Sequence, residues 1–124
     1  MSNSITQLDH VQLAMPVGGE PLARSFYVNV LGLTEVEKPS PQKERGGCWF
    51  NSGSVKIHLG VEDDFHPARK AHPAFLVSDL NSLEKKLLEH GHQVIQDKQI
   101  EGYRRFYSYD PFGNRLEFME LTHE

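Results

Sequence analysis

The sequence repeats itself, and that restricts the folds open to it. "LDHVQLAM" at 8–15 and "KAHPAFLV" at 70–77 both read as short strands with a histidine near the start, and these histidines, His10 and His72, lie 62 residues apart. Each strand is followed by a segment with helical spacing that ends on glycine. "EPLARSFYVNVLG" carries Leu22, Phe26 and Val30 on one stripe before Gly32, and "DLNSLEKKLLEHG" carries Leu80, Leu83, Leu87 and Leu88 before Gly91. Asp79 is placed to cap the second helix, and both glycines suit the left-handed residue that stops one. After each glycine the period shortens toward two, in "LTEVEK" and "HQVIQD", then in "CWFNSGSVKIHLGV" and "RRFYSYDPFGNRLEFMEL". Matching the turn "NSG" at 51–53 to "DPFG" at 110–113 sets His58 against Glu117, 59 residues apart, as the glycines are. The chain therefore reads as two copies of one β-α-β-β-β unit, module one over about 5–64 and module two over about 70–121.

With 124 residues, 38% apolar and 10% aromatic, there is material for one compact domain spanning 1–124 and not for two large ones. A net charge of −4 gives no electrostatic footprint for nucleic acid or an anionic membrane. No apolar run approaches the roughly 20 residues needed to span a bilayer, and "MSNSITQLDH" lacks the parts of a secretory signal, so a cytoplasmic protein is expected. Frayed tails are expected only over the first few residues and the last three, including His123. The single cysteine, Cys48, excludes an intrachain disulfide and a multi-Cys zinc site, and reads as a small core residue.

Alternation along the strands yields the chemical reading. In 55–61, Val55, Ile57, Leu59 and Val61 share one face and Lys56 and His58 the other; in the last strand Leu116 and Phe118 lie opposite Arg115, Glu117 and Met119. The apolar faces suit the helices. His58 and Glu117 then point into whatever the sheet encloses, and His10 and His72 fit the same side. A carboxylate in mid-strand must lie at an edge, be paired, or hold a cation, because burying it unpaired costs several kcal/mol. Arg115 is a candidate partner for Glu117. Imidazoles and a carboxylate converging from separate strands also make a divalent metal site with positions open to substrate, and the expected ligands are His10, His58, His72 and Glu117. Zn, Ni, Co, Mn and Fe all suit that set.

Arg69, Lys70, Arg104 and Arg105 are candidates for orienting an anionic substrate, while Tyr103, Tyr107 and Trp49 are candidates for a pocket lining or for ordinary core. His66 lies in the inter-module linker as a possible loop ligand or acid; His90 and His92 flank Gly91 and read as structural.

The "DHVQL" start, the "RSFYVNVLGL" helix, "AHPAFLVSDLNSLEKKLLEHGHQV" and the closing "YDPFGNRLEFME" together resemble the vicinal oxygen chelate superfamily over about 8–121. This superfamily includes glyoxalase I, fosfomycin-resistance proteins, extradiol dioxygenases, methylmalonyl-CoA epimerase and bleomycin-binding proteins. The closing D-P-x-G-N-x-L-E element is the most specific part. The resemblance implies an α+β fold in which paired βαβββ modules curl into an open barrel around one divalent metal, with helices outside and a homodimer often completing it. It implies His10, His72 and Glu117 as ligands, with His58 as a fourth ligand or a proton-carrying base beside Glu117. At position 58 glyoxalase I carries a carboxylate and the epimerase an amide, so the imidazole departs from both. The expected activity is metal-dependent chemistry on a small oxygen-chelating metabolite or antibiotic, as an isomerase, lyase, dioxygenase or thiol transferase. The alternative is a metal-free binder of the bleomycin-resistance type; four filled ligand positions favour the enzyme.

Overall fold

The computed structural model describes residues 4–122; the first three residues and His123 lie outside them. Module one runs β1 (Val11–Met15), α1 (Glu20–Tyr27), β2 (Thr34–Val36), β3 (Cys48–Ser52) and β4 (Val55–Val61), with a short 3-10 turn at Gln42–Arg45. Module two runs β5 (Ala74–Leu76), α2 (Leu80–Glu89), β6 (Val94–Gln96), β7 (Tyr103–Tyr109) and β8 (Arg115–Leu121). Each module forms one four-stranded sheet, in the orders β1-β4-β3-β2 and β5-β8-β7-β6. In both, the first strand lies parallel to the last, with Gln12 opposite His58 and Ala74 opposite Glu117. Gln12 and Ala74 keep the 62-residue offset of His10 and His72, so the duplication extends to hydrogen-bond register. The two sheets are not closed into a barrel.

Helices of eight and ten residues are marginal alone, so α1 and α2 owe their existence to what they bury. Phe26 and Val30 are buried as their spacing predicts, but Leu22 is 57% exposed, and Ala23 and Tyr27 take its place. Tyr27 stacks on Phe50 of β3 at 5.4 Å, which turns the stripe toward the sheet. On α2, Leu80 and Leu87 are fully buried, Leu83 is half-buried and Leu88 points to solvent. Each full burial contributes roughly 1.5–3 kcal/mol, more than the helix propensities involved. The Asp79 side chain accepts from the Ser82 N–H at 3.1 Å, and Glu120 Oε1 accepts the Leu80 N–H at 2.7 Å, so α2 starts with two of its free donors bound. Gly32 and Gly91 both stand at φ +80, letting the Leu33 N–H return to Tyr27 O and the His92 N–H to Leu87 O, each at 2.9 Å.

The turn "DPFGN" joins the modules. Asp110 Oδ1 accepts the main-chain N–H groups of Phe112 and Asn114, both at 2.9 Å, while Oδ2 accepts the Tyr27 hydroxyl at 2.8 Å and the Asn114 amide at 2.9 Å. Asn114 donates to Ala14 O of β1 at 2.8 Å and accepts from the Ala68 N–H at 3.0 Å. Two buried polar residues thus tie the last hairpin to α1, β1 and the linker.

Cys48 is buried, and burial pushes its thiol up to about 11. A thiol reagent such as Ellman's at about pH 8 should leave the folded protein unmodified and titrate the single cysteine only after urea is added. Rapid reaction without urea would contradict the packing.

Candidate functional site

Glu117 is buried between an imidazole and a guanidinium. On β8, Leu116 and Phe118 enter the core, so Glu117 projects from the opposite face, 7% exposed. Its Oε1 lies 2.9 Å from His72 Nε2, and its Oε2 accepts from Arg105 Nη1 at 3.1 Å. The partner expected from the sequence, Arg115, is not the one the fold supplies. Tyr107 stands directly opposite Glu117 in the β7–β8 ladder, and Arg105, two residues earlier on the same face, reaches diagonally to the carboxylate. Arg105 also donates to the Tyr107 hydroxyl at 2.6 Å and to Lys98 O at 2.8 and 3.1 Å. The Tyr107 hydrogen bond, then Glu117, raises the Arg105 pKa above its ordinary value. Arg115 instead stands over the Tyr107 ring, its guanidinium carbon 3.9 Å from the centroid.

His72 constrains what can occupy this corner. Its Nδ1 is 2.7 Å from Lys70 O, a group that can only accept, and its Nε2 faces the Glu117 oxygen, also an acceptor. A neutral imidazole has one N–H. With that proton given to Lys70 O, the Nε2 lone pair points at Glu117, and the contact requires a positive charge between them, a second proton or a metal ion. A carbonyl on Nδ1 is the usual device for aiming Nε2 at a metal. Two ligands in adjacent positions about 2.1 Å from one ion stand roughly 3 Å apart, which the 2.9 Å separation matches. The chemistry and spacing of His72 and Glu117 therefore fit a divalent cation.

The other two ligand-type residues form a separate pair. His10, just before β1, stacks on His58 of β4 at 4.1 Å, and Trp49 of β3 covers the other face of His58 at 4.0 Å with the rings 4° apart. The stack forms part of the wall of a cleft of about 560 Å³. His10 Nδ1 is 3.0 Å from Asp9 Oδ1. Burial, and then the neighbouring His10, lowers the His58 pKa from its ordinary value, which favours the neutral imidazole.

The four are thus brought together as two pairs. Among the described residues no group of three or more His, Cys, Asp or Glu is placed to hold a metal ion. Trp49 lines the cleft with His10 and His58, as a pocket residue would, and Arg105 reaches the carboxylate. Arg104 does not: it faces α2 and donates to Asn81 at 3.0 Å. Tyr103 shares the Arg105 face at the strand's start, while Arg69 and Lys70 are exposed in the linker, Lys70 contributing only its carbonyl. His66 bonds Asp64 O at 3.1 Å and lines a 420 Å³ crevice with His72. His90 bonds Lys86 O at 2.9 Å and His92 packs edge-on to Phe26 at 4.7 Å, both structural. The role of Tyr107, under two guanidiniums and edge-on to His72 at 5.4 Å, was not legible from β7 alone. Its signal is the register that sets it across from Glu117.

Residues 7–118 match the family model of the Glyoxalase/Bleomycin resistance protein/Dioxygenase superfamily. A crystal structure of a Bacillus anthracis protein assigned to the glyoxalase family is 49% identical, with a TM-score of 0.93 over 98% of this chain and 100% of that one. FosX, the genomically encoded fosfomycin resistance protein of Listeria monocytogenes, is 17% identical with a TM-score of 0.76, covering 96% of each chain. A glyoxalase family protein from Enterococcus faecalis is 24% identical, with a TM-score of 0.71 over 92% of this chain and 97% of that one. At the last two identities the likeness is one of fold alone. No curated protein matches. Among the described residues no helix is long and apolar enough to cross a membrane.

Proposed function

We propose that this chain, which belongs to the Glyoxalase/Bleomycin resistance protein/Dioxygenase superfamily over residues 7–118, is a metal-dependent enzyme acting on a small oxygen-chelating metabolite or antibiotic. The observation that carries this reading is His72, both of whose ring nitrogens face acceptors, with Nε2 2.9 Å from a buried carboxylate oxygen. His72 Nε2 and Glu117 Oε1 would hold one divalent cation, and His10 of a second copy of the chain would complete the set. When bound, the cation supplies Lewis-acid stabilisation of negative charge on a chelated oxygen.

The remaining work falls to side chains. Arg105, itself held by the Tyr107 hydroxyl, fixes the Glu117 carboxylate by its second oxygen, leaving the first to face His72 and bind. Trp49 and His58 line the cleft in which a substrate would sit, and His58, whose pKa burial lowers, is the group to carry a proton. A second copy is favoured by what surrounds His10, whose side chain is 41% exposed, with Leu8 at 78% and Ile5 at 95% on the segment leading to it and Leu76 at 66% on β5.

Mixing two inactive variants tests this arrangement. His10→Ala and Glu117→Gln proteins, each low in metal, should on subunit exchange recover about a quarter of the wild-type metal per chain, because half of the dimers would be mixed and each would hold one intact site. No recovery would show that the ligands do not meet across two copies. A substrate panel of the methylglyoxal-glutathione adduct, fosfomycin with thiols, and catechols then separates the reaction classes.

One observation favours a metal-free binder: Arg105 already neutralises Glu117, so burial of the carboxylate does not by itself demand an ion. Metal content of protein purified without chelator separates the readings, since the binder should contain none.

A further inference from the structure

Arg115 is a half-buried cation with no ion pair to a carboxylate among the described residues. It precedes Glu117 by two residues on β8 and shares its face, so the guanidinium lies on the His72–Glu117 side of the sheet. Its Nε is buried and, among the described residues, has no hydrogen-bond partner. The Tyr107 ring stands beneath the guanidinium, 3.9 Å from its central carbon, a contact that uses the positive charge and not an acceptor on Nε. A buried charged donor without an acceptor is a standing cost, and cores normally remove such a group or pair it. Arg105 and Arg115 face the single carboxylate of Glu117, with Asp97 3.6 Å from Arg105, on the side away from Tyr107. Those two guanidiniums and two carboxylates balance, and a divalent cation on His72 and Glu117 would leave a positive excess beside Arg115.

We infer that Arg115 is the anchor for an oxyanion, a carboxylate or phosphonate carried by the substrate in addition to the oxygens that chelate the metal. The fork of a guanidinium fits such a group in bidentate fashion, and its position on a rigid strand beside the metal ligands fixes the distance between the charged end and the reacting end. This assigns the anion to Arg115 rather than to Arg69, Lys70 or Arg104, which lie in the linker or face α2. The placement of the chelating oxygens rests on the proposed metal reading; the anion site itself does not.

Two titrations separate these. In the first, metal-free protein is titrated with inorganic phosphate while the arginine Nε–H resonances are followed. A saturable shift at Arg115 is expected, with affinity reduced about tenfold or more in Arg115→Gln, partly retained in Arg115→Lys, and unchanged in Lys85→Gln, which removes one exposed charge from α2. No shift at Arg115, or unaltered phosphate binding in Arg115→Gln, overturns the inference. In the second, manganese-loaded protein is offered acetohydroxamate and malonohydroxamate, which share a chelating head and differ by one carboxylate. The acid should bind about tenfold more tightly, and Arg115→Gln should erase that difference while leaving acetohydroxamate unaffected. If neither hydroxamate binds, the metal reading fails and the phosphate result still stands. If both bind equally, the metal reading stands and the inference is overturned. Conversion of a dimer to monomers by Arg115→Gln in sedimentation would also overturn it, by assigning the missing acceptor to a second copy.

Discussion

Replacing Asp110 with alanine should lower the unfolding free energy by about 4 kcal/mol, a large part of the roughly 5–15 kcal/mol that a domain of this size possesses. The carboxylate satisfies four donors at once, two of them main-chain N–H groups in the last turn, and is only 4% exposed. Each buried donor left without a partner costs about 1–3 kcal/mol, less where water can follow. Tyr27→Phe removes one donor and leaves the other three satisfied, so it should cost roughly 1 kcal/mol. Asp110→Asn should fall between, because the new amide faces the Asn114 amide donor. Burial raises the Asp110 pKa above 3.8, against the hydrogen bonds that pull it down. The folded state then binds this proton more tightly than the unfolded chain, so the group's contribution declines as pH rises from 3.8 through the raised value, and Asp110→Asn should remove that slope. Urea unfolding of the three variants checks the order. A cost for Asp110→Ala no greater than that for Tyr27→Phe would show that the network does not hold the modules together.

This network also marks what a linear reading can and cannot reach. The two modules were legible because period-two and helical spacings are local, and because Gly32 and Gly91 end both helices with the same left-handed residue. Asp110 and Asn114 were visible as a specific motif, but their link to Tyr27 spans 83 positions, and nothing in the turn indicates it. On α1 the helical stripe could be drawn through Leu22 or through Ala23 and Tyr27; stacking of Tyr27 on Phe50 decides, and that depends on where β3 lies. The site follows the same rule. Alternation within β8 was enough to turn Glu117 away from the core, whereas the choice of Arg105 over Arg115 as its partner comes from the register of β7 against β8. The two modules place His10 with His58 and His72 with Glu117; that the pairs stay apart was hidden, because how the two sheets sit is not written in their strands.

Glu117→Gln should reduce divalent-metal affinity more than about 100-fold, beyond the 10- to 100-fold typical of residues that only support a ligand, and should abolish any metal-dependent activity. The amide keeps the shape of the side chain and removes the charge, so the first question is whether the fold survives. It should, since Arg105 retains the Tyr107 hydroxyl, two bonds to Lys98 O and the Asp97 carboxylate at 3.6 Å, and is therefore not stranded when the Glu117 charge goes. The thermal midpoint should stay within a few degrees of wild type when both are metal-free, about 1 kcal/mol or less. In the metal-loaded state the two should separate, because only wild type gains the stabilisation that comes from binding an ion in the native state alone. Arg105→Gln provides the contrast: it leaves Glu117 buried with only the His72 imidazole against its carboxylate among the described residues, so it should cost the metal-free fold more than Glu117→Gln does while retaining the ion. Calorimetric metal titrations and melts on these variants check both orders. If Glu117→Gln binds the ion as wild type does, the buried carboxylate serves Arg105 and is not a ligand; if neither protein binds an ion, the chain is the metal-free binder.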